Sequence, residues 1–176
     1  MLKISKAVIL NAGSVVIFLF SALVFVYALR RSREPAPPYV RLQVNGGWGF
    51  DSDIRIFPDD SYQVRGYSHH TGESDFRDGK RDGLFSEIIT LADERNAWKL
   101  TGASLEAEAK ALAGGGTVGI FDANHDFLEL KLTDRALVVD FYGAESWARF
   151  HPDTHTQQIK TFAELVKSIR TKTNPD

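Results

Sequence analysis

Apolar and polar residues alternate along several short segments after residue 39, with the period of two that a half-buried β-strand shows. Five segments follow this pattern: Tyr39–Val44, Asp53–Phe57, Ser61–Arg65, Phe127–Leu132 and Leu137–Phe141. Pro58-Asp59-Asp60 separates the second segment from the third, and Thr133-Asp134 precedes the last. Because such residues favour tight turns, the pattern predicts two β-hairpins.

Two other segments have the spacing of an amphipathic α-helix. Leu84–Ala97 carries apolar residues at helical spacing, so we predict a helix there that ends near Trp98. Near the carboxyl end, Thr154 and Gln157 match a capping box. The helix that follows would present one apolar stripe, formed by Ile159, Phe162, Leu165, Val166 and Ile169.

The remaining stretches show neither period. His69–Gly83 is rich in glycine and charge, which predicts a loop. Ser104–Ala113 contains strong helix formers but few apolar residues, and Gly114-Gly115-Gly116 would end any helix after it. We therefore expect the stretch between Trp98 and Asp122 to be a flexible excursion.

The order of these elements is three strands, a helix, two strands and a helix. This order predicts an α+β fold, in which an antiparallel sheet of about five strands is covered on one face by two helices. The other face of the sheet would carry the Arg, Gln, Glu and Lys residues that alternate with the apolar ones.

The amino-terminal segment Ala7–Leu29 differs from the rest because its 23 residues carry no formal charge. As a helix it would span about 35 Å, slightly more than the hydrocarbon core of a bilayer. A cleaved leader has an apolar core of about 7 to 15 residues and then a small-x-small cleavage site. This run instead continues directly into Arg30 and Arg31. We therefore predict an uncleaved transmembrane anchor in residues 1–33, with the lipid bilayer as its partner.

The orientation of the anchor stays open. Lys3 and Lys6 precede it, while Arg30, Arg31 and Arg33 follow it, so the positive-inside rule is nearly balanced. The chain is predicted to be a single-pass protein of the bacterial inner membrane, with its globular part on either side.

A short linker and one globular domain follow the anchor. Residues 34–38 contain three prolines, which favours a stiff, extended spacer. Residues 39–176 are enough for one domain, and their 16 basic and 22 acidic side chains give a net charge of −6. Without a cluster of basic residues, the domain is not expected to bind nucleic acid. The chain has no cysteine, which excludes disulfides and thiolate catalysis, and we predict no cofactor.

The clearest candidate metal ligands are Asp122, Asn124 and Asp126, whose spacing matches the beginning of a calcium-binding loop. The match ends there, because Phe127 stands where such a loop needs glycine and Thr133 where it needs glutamate. A solvated turn that enters a strand is the alternative interpretation, and we favour it.

His69 and His70 are further candidate ligands. Adjacent histidines on an extended chain point in different directions, and no helical H-E-x-x-H spacing is present. We interpret both as surface residues. A membrane-tethered hydrolase or metal-dependent enzyme would require them to converge in one cleft with Asp122 and Asp126.

Glycine-rich residues 46–49 surround Trp48 and lead to Phe50. They lack the helix and the spacing of a phosphate-binding loop, and the chain has no G-x-S-x-G motif. The two aromatic residues would either fill the end of the sheet or contact a protein partner.

The order of motifs in residues 40–171 resembles small bacterial domains of the emfourin type, which inhibit thermolysin-like metallopeptidases. The resemblance lies in a first strand running into "NGGWG", in "DIRIF", "PDD" and "SYQV", and in a helix after "GLFSEI". It continues with "DFLELKL", "ALVVDFYG" and a final amphipathic helix. It implies a noncatalytic fold and a peptidase as the kind of partner.

These observations favour a membrane-anchored, noncatalytic protein-binding domain, as an accessory subunit or a peptidase regulator. Two alternatives stay open: the membrane-tethered enzyme described above, and a ligand-sensing domain with an apolar cavity between the sheet and the helices.

Overall fold

The alternating segments pair with one another into a six-stranded antiparallel sheet, and the segments of helical period cover one of its faces. The computed structural model describes residues 38–46, 49–114, 123–151 and 157–174. The elements are β1 Tyr39–Asn45, β2 Phe50–Ile56, β3 Ser61–Ser68, β4 Ser74–Lys80, α1 Leu84–Glu94, a 3-10 helix Ala97–Lys99, α2 Gly102–Leu112, β5 His125–Lys131, β6 Ala136–Tyr142, α3 Ala144–Phe150 and α4 Gln157–Thr173.

The strand order in the sheet is β4-β3-β2-β1-β5-β6, with every neighbouring pair antiparallel. β1 lies between the two predicted hairpins, β2–β3 and β5–β6, so both hairpins are confirmed. Val40 of β1 is opposite Ile56 on one side and Leu130 on the other, and all three are fully buried. This register places the apolar residues of the central strands on the same face.

The helices meet this apolar face. α4 packs against α1, α2 and α3 and lies at the centre of the helical layer. All five residues of its predicted apolar stripe are fully buried. Phe162 meets Phe141 of β6 edge to face, with ring centroids 6.3 Å apart. The α+β class and the coverage of one face by helices are therefore confirmed, while Thr154 of the predicted capping box lies outside the described residues.

The prediction that His69–Gly83 forms a loop is wrong, because this segment contains β4. Every residue of β4 except Gly79 is exposed. An edge strand with no buried side chain has no alternation to recognise, since its structure comes from backbone pairing with β3. The sheet consequently has six strands where about five were expected.

The expectation of a flexible excursion after Trp98 is wrong for residues 102–112, which form α2. Thr101 and Ser104 make a reciprocal capping box at its start, with each side chain bonded to the other residue's backbone N–H. Leu105 and Ala109 are its buried residues. Two buried positions are too few to give a visible apolar stripe, although they hold the helix on the core.

α3 was also not expected, so four α-helices are described where two were predicted. It follows β6 directly through Gly143, whose φ of +76° strongly favours glycine. The Gly143 N–H donates a 2.8 Å hydrogen bond to the carbonyl oxygen of Asn124. α3 has only seven residues, and a periodic pattern is difficult to recognise over two turns. The predicted first helix is confirmed, but α1 ends at Glu94 and the 3-10 helix contains Trp98.

The turn between β2 and β3 also caps α1. Asp60 accepts hydrogen bonds from the backbone N–H groups of Gly83 and Phe85 at 2.9 and 3.0 Å. These are N–H groups at the beginning of a helix, which have no partner within the helix itself. The predicted Pro-Asp-Asp turn therefore also fixes where α1 begins.

Pro37–Asp176 groups by its contacts into one compact unit. No helix among the described residues is long and apolar enough to cross a membrane. The predicted anchor, Ala7–Leu29, lies outside the described residues.

Candidate functional site

The face of the sheet opposite the helices is not covered by any described element, and we call it the open face. It is formed by the outward side chains of all six strands. Among them, four large apolar or aromatic side chains are 41 to 56% exposed: Tyr67, Phe76, Val138 and Tyr142. Single exposed apolar side chains are common on protein surfaces, whereas groups of them mark interaction sites, so the arrangement of these four residues on the open face matters.

These four residues form two flanks of the open face. Tyr67 and Phe76 lie on β3 and β4, while Val138 and Tyr142 lie on β6 at the other edge. Four strand spacings separate β3 from β6, which is about 19 Å. The guanidinium carbon of Arg65 lies 5.7 Å from the ring centroid of Phe76, so one flank combines aromatic and cationic groups.

Charged side chains occupy the centre of the open face. Arg41 makes a bidentate ion pair with Asp53 across β1 and β2, at 3.0 Å from Nε and 2.9 Å from Nη2. Arg55 adds a third contact to the same carboxylate at 3.2 Å. Partial burial raises the pKa of Asp53, but hydrogen bonds from Arg41 and Arg55 outweigh it and hold the pKa below its usual value. The centre is therefore a fixed, ionised network between two apolar flanks.

His69 follows β3 and forms a separate polar contact at the end of the open face. Its Nε2 lies 2.9 Å from Oδ2 of Asp51, and its ring meets Tyr67 edge to face. The other oxygen of Asp51 accepts a hydrogen bond from the Gly46 N–H. His70 is exposed in the next turn, as expected of a surface residue.

Phe50 lies on the opposite side of the sheet from Tyr67. Its ring covers Gly66 so closely that a Cβ atom there would be 2.0 Å from Cζ of Phe50, so a larger residue at this position would require the ring to move. Phe50 keeps 43% of its surface exposed. Trp48, the other aromatic residue of this candidate pair, lies outside the described residues.

Asp126, one of the candidate metal ligands, is 1% exposed on the helix-covered face. Burial raises its pKa to about 6, and the nearby carboxylate of Glu145 adds to the rise, while Arg170 and His125 act in the opposite direction. The interpretation of this turn as solvated is therefore wrong for Asp126. Asn124 lies close by and is partly buried, whereas Asp122 is outside the described residues.

The structure does not bring Asp126 together with His69. They lie on opposite faces of the sheet, on or next to strands β5 and β3, which are three spacings or about 14 Å apart. Among the described residues, no group of three or more His, Asp or Glu side chains could hold a metal ion. The cleft that the enzyme hypothesis requires is not formed by these two residues.

A groove of about 620 Å³ runs between α3 and α4, where Glu145, Arg149, Lys160, Glu164, Lys167 and Arg170 provide its charged lining. Glu145 bonds Arg170 at 3.1 Å, and Glu164 bonds Arg95 at 3.0 Å. The lining contains four basic and two acidic side chains, so basic residues predominate there in a domain that is acidic overall. Sequence reasoning missed this groove because it missed α3.

No protein-family model matches the chain, and no curated protein matches it in sequence.

Proposed function

We propose that this protein is a membrane-tethered, noncatalytic protein-binding domain, and that the open face of the sheet is its binding surface. The observation that carries the proposal is the exposure of four large apolar or aromatic side chains on a face that no described element covers.

The composition of the open face suits a protein partner. Protein interfaces are enriched in aromatic residues and arginine, which supply most of the binding free energy when they are buried by the partner. Tyr67, Phe76 and Tyr142 would act as such anchors, and the ion pairs of Arg41 would set the orientation of the partner. We expect these ion pairs to affect specificity more than affinity, because they are already satisfied within the domain.

The shape of the open face favours a folded protein over a small ligand. Six strands at about 4.8 Å spacing make a surface about 24 Å wide between the outer strands. Each partner in a stable complex buries roughly 800 Å², which requires a surface of this order. Small molecules instead bind in concave pockets that enclose most of their surface.

The predicted anchor defines where the partner would be found. If Ala7–Leu29 crosses the bilayer, the five-residue linker 34–38 can extend at most about 18 Å. The domain would then meet either another membrane protein or a protein held at the membrane surface. The emfourin resemblance suggests a peptidase, so the domain would act as an accessory subunit or a regulator of it.

Photo-crosslinking in native membranes tests the proposal. We would place p-benzoylphenylalanine at Phe76 and at Tyr142, one on each flank, and at Thr90 and Lys110 as exposed controls on the helical layer. We expect both flank positions to crosslink the same protein, identified by mass spectrometry, and the controls to give none. Crosslinks only at the controls, or none at any position, would overturn the open face as the binding surface.

A further inference from the structure

A carboxylate oxygen of Asp126 is buried without a hydrogen-bond partner. Among the described residues, only Asp126 and Glu108 have such a side-chain atom. The other oxygen of Glu108 accepts a hydrogen bond from the Ile159 N–H near the start of α4, which explains why Glu108 is there. In Asp126 the unpartnered oxygen is Oδ1. A buried polar atom without a partner often marks the place of a water molecule or an ion.

Asp126 lines a small pocket at the end of β5. Its volume is about 80 Å³, and its lining is formed by Ala123, Asn124, Asp126, Gly143, Glu145 and Ser146. Four of these six residues carry a side-chain oxygen. At about 30 Å³ for each water molecule, the pocket has room for two or three small groups.

We propose that this pocket is a binding site for a hard divalent cation such as Ca²⁺ or Mg²⁺, with Asp126 and Glu145 as its charged ligands. Hard cations bind carboxylate, amide and hydroxyl oxygens and complete their coordination with water. Asn124 and Ser146 supply the neutral oxygens. This set differs from the calcium loop in the sequence, because Glu145 comes from α3 and joins Asp126 only in the folded chain.

The charges in the pocket support a cation. Two carboxylates that share a small space repel each other, and a divalent cation between them removes the repulsion. Arg170 bonds only one oxygen of Glu145, Oε1, at 3.1 Å. It therefore compensates part of the negative charge and leaves Asp126 Oδ1 without a partner.

Terbium luminescence tests the site directly. Tb³⁺ replaces Ca²⁺ at oxygen sites and emits light when a nearby aromatic ring transfers energy to it. Trp147 follows Ser146 in α3, and the Tyr142 hydroxyl accepts a hydrogen bond from the Ala123 N–H at the rim of the pocket. With the full chain in detergent, we expect saturable emission at one ion per chain, which Ca²⁺ or Mg²⁺ displaces.

Matched variants distinguish the proposal from its rivals. D126N keeps the shape of the side chain, removes a buried unpaired charge and should fold; we expect it to weaken Tb³⁺ binding at least about tenfold. D134N, an exposed change in the β5–β6 turn, should leave binding unchanged. R170M removes the competing guanidinium and should tighten binding about threefold to tenfold.

Several results would overturn the cation site. One is emission that does not saturate, and another is binding that D126N leaves intact. A third is thermal stability that changes near pH 6 but not with Ca²⁺, Mg²⁺ or chelator, which would mean that the pocket takes a proton or water only. Unchanged or weaker binding in R170M would remove Glu145 as a ligand and with it the proposed site.

Discussion

The two faces of the sheet place carboxylates in opposite environments, although the residues of both faces alternate along the same strands. On the open face, Asp53 is partly solvated and bonded by two arginines, and its pKa is lowered. On the covered face, Asp126 is buried beside another carboxylate, and its pKa is raised. A charge with ion-pair partners near water contributes modestly to stability, whereas a buried charge without a partner is unfavourable until a proton or cation joins it.

The largest difference between the faces should come from neighbouring residues of β1. Leu42 is fully buried, while Gln43 lies on the open face. We expect L42A to lower the free energy of unfolding by about 2 to 5 kcal/mol, because it removes apolar contacts and leaves a cavity. Q43A should change it by less than about 0.5 kcal/mol. Urea unfolding of the full chain in detergent measures both, and a similar loss in the two variants would contradict the assignment of the faces.

Asp126 should make the domain less stable as the pH rises. Its pKa is raised in the folded state, so the folded chain binds more protons between about pH 4 and pH 6, and stability falls through that window. Glu145, Arg170 and His125 are the charged groups that act on it. The rise of its pKa from 3.8 to about 6 corresponds to about 3 kcal/mol. With chelator present at pH 7.5, D126N should therefore be more stable than the wild type by up to that amount.

The measurement for Asp126 is urea unfolding of the wild type and of D126N between pH 4.5 and 7.5, with D134N as the control. We expect the gain in D126N to shrink as the pH falls below about 6, because the folded wild-type carboxyl is then protonated, and to vanish only below the unfolded pKa of about 4. A gain that does not depend on pH, or a loss of stability at pH 7.5, would show that Asp126 is not an unfavourable buried charge.

Asp53 should show the opposite sign with a smaller magnitude. Its folded pKa is lowered, so its contribution is complete above about pH 4 and is lost as the pH falls below that value. Because the pair is partly exposed, we expect D53N to cost only about 1 kcal/mol at pH 7. D78N, on the same face and without an ion pair among the described residues, should cost less. Equal effects of the two changes would argue against the Arg41–Asp53–Arg55 network.

The smallest effect on folding should come from the exposed flanks. We expect F76S and V138S to change the free energy of unfolding by about 0.5 kcal/mol or less, because both side chains are more than half exposed. The same changes should reduce recovery of the crosslinked partner. A loss of more than about 2 kcal/mol would mean that these side chains are part of the core and are not a binding surface.

The strands and helices that could be predicted are those in which buried apolar side chains recur at a regular spacing along the sequence. Val40, Leu42 and Val44 alternate with polar residues because one face of β1 meets the core, and the stripe of α4 has the same cause. β4 and α3 could not be predicted in this way. β4 has no buried side chain, and α3 is too short for its period to emerge.

The features of the candidate sites could likewise be predicted only where they follow from the alternation of apolar and polar residues. The polar face of the sheet followed from alternation, and so did the expectation that it is partly exposed. Alternation also places Asp126 on the inward side of β5, in phase with Leu128 and Leu130. Its burial could not be predicted from this phase alone, because Glu145 and Ser146 also line the pocket around it, in a helix that the sequence did not reveal. Aspartate beside a turn is normally solvated, so local sequence favoured the wrong environment.

The sequence by itself determined which residues of β1, β2, β5 and β6 face inward, since a period of two leaves each strand one apolar side to bury. It also determined the apolar stripe of α4. Only the tertiary structure decided that β4 extends the sheet, that β1 lies at its centre and that α3 closes over Asp126. These features arise from backbone pairing and from contacts between residues that are distant in sequence. Neither produces a regular pattern of apolar and polar residues along the chain.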